Sequence, residues 1–183
     1  NFHLLPTHDD AFVELFEKKY FDCCINASGM ANVAFSAKNP FADYTANVYN
    51  NAKILDALRK YNPKCKYIHL SSAAVYGNPE NLPISEDTPT KPISIYGYHK
   101  LQSELLCSEY SQIFNIPTIN LRLFSVFGEG LKKQLFWDVY HKMLESNSTI
   151  SLFGNPIDSR DFIYIADLMQ VFKNVITSAD FNG

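Results

Sequence analysis

The sequence predicts an α/β fold in which a parallel sheet is covered by helices on both faces. Short apolar runs with strand character alternate with stretches whose apolar residues recur at helical spacing. The 183 residues fit one domain, and 46% of them are hydrophobic, which is enough to bury a sizeable core. No internal repeat or low-complexity segment interrupts the alternation. We therefore expect one globular domain of alternating strands and helices.

The first part of the chain predicts two helices, each followed by a strand. Phe12, Leu15 and Phe16 lie at helical spacing behind a threonine and two aspartates, which are suitable residues for a capped helix start. The expected elements are a helix over Asp9–Tyr20, a strand over Phe21–Asn26, a helix over Tyr44–Tyr61 that Asn62-Pro63 stops, and a strand over Cys65–Leu70.

A long loop precedes the second part of the chain. The stretch from Asn78 to Ser94 holds four prolines, too many for a helix, and loops of this length usually serve a site. After it we expect a helix over about Tyr96–Phe114, a strand at Thr118–Leu123, a helix around Leu135–Leu144, a strand at Thr149–Phe153, an extended stretch at Phe162–Ile165 and a helix at Ala166–Ile176.

Composition excludes several classes of partner. The formal charge of -3 is small, with both signs scattered, so we expect no nucleic-acid polymer as a partner. No apolar stretch approaches the roughly 18 residues that a membrane span needs, so we expect no membrane partner and a cytoplasmic location. The four cysteines form no C-x-x-C pair and the five histidines show no ligand spacing, which favours reduced core thiols and no metal site.

Three segments come directly after predicted strands. In a parallel α/β sheet, ligands bind outside the carboxyl ends of the strands, so these segments are where a site is expected. They are Asn26–Gly29, Ser71–Gly77 and Phe124–Gly130.

Tyr96 and Lys100 are four residues apart at the start of a predicted helix, so their side chains share one face. A free tyrosine is a poor base at neutral pH, but a nearby ammonium and a positively charged nicotinamide ring would favour its phenolate. Taken alone, the pair is better explained as an aromatic side chain beside a solvated charge. The hydroxyls of Ser71-Ser72, at the end of an apolar strand upstream, make the catalytic interpretation much stronger.

These motifs resemble those of the extended short-chain dehydrogenase/reductases, and most closely their NAD-dependent epimerase/dehydratase branch. The resemblance implies a Rossmann-like, doubly wound parallel sheet and covers nearly the whole chain. It is carried by Asn26-Ala27-Ser28-Gly29, Ser71-Ser72-Ala73-Ala74-Val75-Tyr76-Gly77, Ser94-Ile95-Tyr96-Gly97-Tyr98-His99-Lys100, Arg122-Leu123-Phe124-Ser125-Val126-Phe127-Gly128 and Ser159-Arg160-Asp161-Phe162-Ile163-Tyr164.

The resemblance implies a role for each matching residue. Ser72 would hydrogen-bond the reacting sugar oxygen, Tyr96 would be the acid/base, and Lys100 would hold the nicotinamide ribose. The cofactor, NAD with NADP as the open alternative, would be bound by Asn26, Ala27, Gly29, Ser71, Tyr96 and Lys100. The usual family motif is Asn-Ala-Ala-Gly, and Ser28 stands in place of its second alanine.

On the substrate side, the resemblance implies a nucleotide-activated sugar. Arg160 matches an arginine that contacts the nucleotide, a role suited to a planar, permanently charged side chain. A salt bridge of Arg160 to Asp158 or Asp161 is the alternative. Ser72, Phe124 and Ser125 complete the implied substrate set, although Ser125 stands where many relatives have asparagine.

Two departures from the family pattern affect the expected activity. None of the seven glycines forms the glycine-rich turn G-x-x-G-x-x-G, so we expect a missing first βαβ unit before Asn1 and weak cofactor affinity. The family's final substrate-binding segment is expected to be missing as well. Residues 1–130 would be mainly the Rossmann-like sheet, and residues 131–183 the start of a substrate-binding part.

The reaction expected from the resemblance is 4-epimerisation of a nucleotide sugar. Dehydratases of the family carry an Asp-Glu pair where this chain has Ala73-Ala74, and two methyl side chains cannot serve as acid or base. A 4-keto reductase or dehydrogenase is the second choice, a 4,6-dehydratase is disfavoured, and a non-catalytic Rossmann-fold fragment is the rival from another class. Relatives often dimerise through helices equivalent to Tyr44–Tyr61 and Tyr96–Phe114, which implies a possible homodimer.

Overall fold

A computed structural model describes residues 5–7, 9–146, 149–152, 154–155, 159–178 and 181. The chain divides into two compact units, one formed by residues 1–123 with 178–183 and the other by residues 124–177. Both units combine helices with parallel strands, which confirms the predicted α/β class.

The first unit contains a three-stranded parallel sheet in the order β1-β2-β3. The strands are β1 (Cys23–Asn26), β2 (Lys66–Ser72) and β3 (Thr118–Leu123). The register aligns Asn26 with His69, and His69 with Asn120. Because all three strands run the same way, their carboxyl ends meet at one edge of the sheet, as the sequence predicts.

Among the residues that the structure describes, five α-helices accompany this sheet. They are α1 (Asp10–Lys18), α2 (Val33–Lys38), α3 (Pro40–Tyr44), α4 (Asn50–Tyr61) and α5 (Ile95–Phe114). A π-helical turn, Thr45–Tyr49, joins α3 to α4, so the helical run predicted from Tyr44 begins earlier, at Pro40. Helix α2 is not predicted by the sequence pattern, because only six residues form it.

Local capping explains where two of the helices begin. The Asp9 side chain accepts from the Ala11 N–H at 2.9 Å, which satisfies a free donor at the start of α1. The Ser94 hydroxyl accepts from the Gly97 N–H at 3.0 Å and starts α5 in the same way. Helix α5 ends at Phe114, and Asn115, which follows it, has a φ of 55° in the left-handed conformation common after helices.

The core of the first unit lies between the sheet and helices α1, α4 and α5. Its side chains are removed almost completely from water, and burial of this kind is the main favourable contribution to folding. The buried cluster consists of Phe16, Ile54, Leu55, Ala57, Leu58, Cys65, Tyr67 and Cys107. The helical spacing of Ile54, Leu55 and Leu58 therefore marks the buried face of α4 correctly.

In its described residues, the second unit contains a parallel pair of strands and two helices. Strands β4 (Ser125–Phe127) and β5 (Phe162–Tyr164) pair from Ser125 with Phe162 to Phe127 with Tyr164. The helices are α6 (Gln134–Glu145) and α7 (Ile165–Thr177), close to their predicted bounds. Strand β4 is not predicted from the sequence.

The strand predicted at Thr149–Phe153 is wrong for the residues that the structure describes, Thr149 to Leu152, which form no strand. Phe153 lies outside the described residues. Within the described ranges, no helix is long and apolar enough to cross a membrane, and no group of three or more potential metal ligands occurs. All four cysteines are free, and burial raises the pKa of Cys24, Cys65 and Cys107 to about 12.

Candidate active site

Ser72, Tyr96 and Lys100 come together where β2 ends and α5 begins. The Ser72 side chain lies close enough to Tyr96 to lower the pKa of its phenol, and the Ser72 hydroxyl accepts from the Ala74 N–H at 3.2 Å. The Lys100 Nζ lies 5.9 Å from the centre of the Tyr96 ring. Three side chains separated by up to 28 positions in the sequence therefore form one cluster at the predicted edge of the sheet.

The lysine of this cluster is buried and held by the sheet. Lys100 is 5% exposed, and its Nζ donates to the Leu70 carbonyl of β2 at 2.8 Å. Burial lowers the pKa of Lys100 to about 8, because a charged ammonium loses its hydration there, while Asp43, Cys107 and Glu104 act in the opposite direction. Lys100 thus changes charge close to neutral pH.

The tyrosine is buried as well, and burial raises the pKa of Tyr96 above its ordinary value. The Ser72 side chain lowers this pKa, whereas the charge of Asp43 raises it. The expectation from the sequence, that an ammonium and a nicotinamide charge together favour the Tyr96 phenolate, stays a prediction. The Lys100 Nζ lies 5.9 Å from the centre of the Tyr96 ring and donates to the Leu70 carbonyl.

The loop after β1 is organised by Asn26. The Asn26 Oδ1 accepts from the N–H and the hydroxyl of Ser28, at 3.1 and 2.6 Å, and its Nδ2 donates to the Tyr67 hydroxyl at 2.8 Å. Asn26 is buried, while Ala27 and Gly29 are exposed. Gly29 has a φ of 116°, and a Cβ there would lie 2.5 Å from the Asn47 Oδ1, so this bend requires glycine.

Ser71 faces the interior of the first unit. Its hydroxyl donates to Glu104, which also forms a two-pronged ion pair with Arg122, with contacts of 3.0 Å (Nε to Oε1) and 2.8 Å (Nη2 to Oε2). Arg122 donates in turn to the Tyr76 hydroxyl at 2.9 Å. This network connects the ends of β2 and β3 with helix α5 and with Tyr76, which lies just before the long loop.

Phe124, Ser125 and Arg160 belong to the second unit. Phe124 is 37% exposed, and the Ser125 N–H donates to the Asp161 carbonyl at 3.3 Å. Arg160 is exposed, and no ion pair joins it to Asp161. Asp158, the alternative partner expected from the sequence, lies outside the described residues.

A cavity of about 330 Å³ in the second unit has an aromatic lining. The Tyr164 hydroxyl beside it donates to the Glu129 carboxylate at 2.7 Å. Neither Arg160 nor Ser125 lines this cavity, whose walls are formed by Phe127, Gly128, Glu129, Leu131, Phe136, Trp137 and Tyr164.

The sequence analysis missed two residues beside the cluster, Asp43 and His99. The carboxyl group of Asp43 lies 2.6 Å from the His99 Nδ1 (Oδ2 to Nδ1). The two residues are 56 positions apart, so no local pattern could have revealed the contact. The only available signal was that His99 falls between Tyr96 and Lys100 within the motif.

A parallel α/β sheet whose edge carries a Ser, Tyr and Lys cluster defines the class of extended short-chain dehydrogenase/reductases with a Rossmann-like sheet. The family described as NAD dependent epimerase/dehydratase matches residues 2–182. The chain therefore belongs to the NAD-dependent epimerase/dehydratase family.

Known relatives agree with this assignment. A putative UDP-glucose 4-epimerase of Methanocaldococcus jannaschii is 33% identical over 159 residues, which cover 83% of this chain and 51% of the relative. The crystal structure of UDP-glucuronic acid 4-epimerase from Bacillus cereus, in complex with UDP-glucuronic acid and NAD, is 27% identical with a TM-score of 0.85. That match covers 97% of this chain and 55% of the other. The chain spans about half the length of the curated relatives it matches.

Proposed function

We propose that the protein is a nucleotide-sugar 4-epimerase in which Tyr96 is the catalytic acid/base. The observation that carries the proposal is the cluster of Ser72, Tyr96 and Lys100 at the carboxyl edge of the sheet. Similarity to 4-epimerases for UDP-glucuronic acid and UDP-N-acetylglucosamine supports the reaction class and a nucleotide sugar as substrate.

The residues present fit the nicotinamide end of NAD. The donor set is an ammonium on Lys100, a phenol on Tyr96, and exposed backbone at Ala27 and Gly29 after β1. Asn26 would hold this loop in place, and Ser71 would support it from inside the sheet through Glu104. NAD held by these residues would supply the hydride acceptor and donor for the fourth carbon of the sugar.

The side chains of the cluster have separate tasks in this proposal. The Tyr96 phenolate accepts the proton of the sugar 4-hydroxyl and later returns it. The Ser72 hydroxyl donates to the same sugar oxygen and orients it. The Lys100 ammonium provides the positive charge that stabilises the phenolate, and it binds the ribose hydroxyls.

Removal of water from the sugar requires a further acid and base next to Ser72. The two positions that follow, Ala73 and Ala74, form a 3₁₀ turn and carry only methyl groups. The same site is therefore better suited to 4-epimerisation than to 4,6-dehydration.

We infer that the second unit begins the substrate-binding part of the protein. Arg160 and Ser125 would contact the nucleotide, with Phe124 beside them, because Arg160 is exposed and carries a permanent charge suited to phosphate. We also infer a cytoplasmic location and a homodimer. Exposed apolar side chains on α5, at Tyr98, Leu105 and Ile113, support the dimer.

The proposal is tested by incubating the intact protein that carries these residues with NAD and either UDP-glucuronic acid or UDP-glucose. Sugar nucleotides are separated by chromatography while absorbance at the NADH band is followed. We expect the 4-epimer to form without net NADH. Stoichiometric NADH would indicate a dehydrogenase or reductase, and no conversion of any nucleotide sugar would favour the non-catalytic alternative.

A further inference from the structure

A largely buried ion pair lies beside segment 71–76, the stretch of chain that carries Ser72. Glu104 of α5 is 5% exposed, and its carboxylate accepts from Arg122 of β3 twice, at 3.0 Å (Nε to Oε1) and 2.8 Å (Nη2 to Oε2). A buried ion pair is by itself weak evidence for stability, because both charges have lost their hydration. The other contacts of the two residues point to a more specific role.

Each partner of the pair holds a different end of segment 71–76. Glu104 accepts from the hydroxyl of Ser71, the first residue of the segment. Arg122 donates from Nη1 to the hydroxyl of Tyr76, the last residue, at 2.9 Å, and its guanidinium carbon lies 4.9 Å from the centre of the Tyr76 ring. Arginine suits this position, because its planar fork carries enough donors to bind Glu104 and Tyr76 at the same time.

Between its two ends, the segment packs against the start of α5. Ser72 caps the 3₁₀ turn Ala73–Val75 by accepting from the Ala74 N–H. The Ala74 carbonyl oxygen lies so close to Gly97 that a Cβ on this glycine would be 2.6 Å from it. Because Gly97 directly follows Tyr96, a displacement of the turn would move the Ser72 hydroxyl relative to the Tyr96 phenol.

We infer that Glu104 and Arg122 are a positioning pair for segment 71–76. By holding both ends of the segment, the pair fixes the Ser72 hydroxyl relative to Tyr96. The catalytic meaning of this inference rests on the proposed function, in which both hydroxyls must reach the same sugar oxygen. A misplacement of about 1 Å in such a site can cost about 100 fold in rate. The pair itself does not touch the reacting atoms and acts through Ser72.

Two substitutions weaken the hold on the segment without changing a side chain of the catalytic cluster. Tyr76→Phe removes the hydroxyl that Arg122 binds and keeps the ion pair. Arg122→Lys keeps the positive charge and loses the planar fork. The matched control is Arg59→Lys, because Arg59 forms an ion pair with Asp56 at 2.7 Å on the partly exposed surface of α4.

The first measurement is hydrogen exchange of the backbone amides of segment 71–76, followed by mass spectrometry of the intact protein without NAD or sugar. We expect exchange to be about 10 fold faster in Tyr76→Phe and in Arg122→Lys, as is typical when one hydrogen bond is lost. Exchange in Arg59→Lys should match the parent. Unchanged exchange in Tyr76→Phe would overturn the inference, whether or not Arg122→Lys folds.

The second measurement is a double-mutant cycle with Ser72→Ala, assayed as interconversion of an epimer pair of nucleotide sugars in the presence of NAD. We expect Tyr76→Phe to lower kcat by about 10 to 100 fold while KM changes by less than about twofold. In the Ser72→Ala background, Tyr76→Phe should cause no further loss, because it acts through Ser72. An equal loss in both backgrounds would overturn the inference, because a general loss of structure does not depend on the Ser72 hydroxyl.

The two measurements separate this inference from the proposed function. Faster exchange with unchanged kcat in Tyr76→Phe would overturn the positioning role, even in a protein that is an active epimerase. A Tyr96→Phe protein with full turnover would overturn the proposed function, and the exchange result would still show whether the pair holds the segment.

Discussion

At the scale of single residues, burial has the largest effect on the pKa values of Lys100, Tyr96 and His69. It lowers the pKa of Lys100 to about 8, raises that of Tyr96, and lowers that of His69 to about 3. Each shift disfavours the charged form, which is the expected result of moving a charge away from water. Burial is therefore the largest influence on the pKa values of both Lys100 and Tyr96.

The buried His69 predicts how the stability of the fold depends on pH. It is 2% exposed in β2, both ring nitrogens lack hydrogen-bond partners, and the fold keeps the ring neutral. Below about pH 6.5, the ordinary pKa of histidine, His69 binds a proton in the unfolded chain but not in the folded chain. The free energy of unfolding therefore falls as the pH drops from about 6.5 toward 3. In the parent protein, His69 should make the free energy of unfolding fall by about 1 kcal/mol per pH unit between pH 6 and 4. We expect His69→Leu to lack this loss when unfolding by urea is measured over the same pH range. An equally steep loss of stability in the variant would contradict this account.

Residue types and spacing predict the cluster of Ser72, Tyr96 and Lys100, which we propose to be catalytic, but not the residues around it. Ser72, Tyr96 and Lys100 stand in motifs tied to a strand end and a helix start, so their convergence follows from the chain order. Asp43 contacts His99, 56 positions away, and Asn51 accepts a hydrogen bond from the Tyr67 hydroxyl, 16 positions away. Such contacts depend on packing that no local pattern encodes.

At the scale of elements, Asn62 links α1, β1 and α4. Its amide donates to the carbonyls of Phe16 and Lys19 at 2.6 and 3.2 Å, and its oxygen accepts from the Phe21 N–H at 2.9 Å. The sequence marks Asn62-Pro63 only as a helix stop. The structure shows that the same residue also satisfies backbone groups at the end of α1 and just before β1.

We expect Asn62→Ala to lower the free energy of unfolding by about 2–4 kcal/mol, because three backbone groups lose their partners in a site that is 1% exposed. Chemical denaturation followed by circular dichroism gives this value. Asn81→Ala, in the exposed part of the long loop, is the control and should have little effect. Equal effects of the two substitutions would contradict the linking role of Asn62.

Long elements with strong periodicity are predicted well, and short ones are not. Helix α5 and strand β3 match their expected bounds closely, because 20 and six residues of consistent pattern define them. Strand β4 has three residues and helix α2 has six, too few for a periodic signal. Thr149–Leu152 has a strand-like composition but pairs with no neighbouring strand in the part of the chain that the structure describes.

At the scale of the whole molecule, family membership is shown along almost the entire chain, and the activity of the whole protein is the proposal made above. The match covers residues 2–182, yet the chain spans about half the length of its curated relatives. All three residues of the proposed acid/base cluster, Ser72, Tyr96 and Lys100, lie in the first unit. The central claim can therefore be tested by removing one atom, the phenol oxygen of Tyr96, from the intact protein.

That measurement is the turnover of Tyr96→Phe in the intact protein, assayed as interconversion of a 4-hydroxyl epimer pair of nucleotide sugars in the presence of NAD. The substitution removes only the phenol oxygen and keeps the ring that packs at the start of α5. We expect kcat to fall by about 100 to 10,000 fold with substrate binding nearly unchanged, as is typical when a general acid/base is lost. Full activity in Tyr96→Phe would contradict the proposed mechanism.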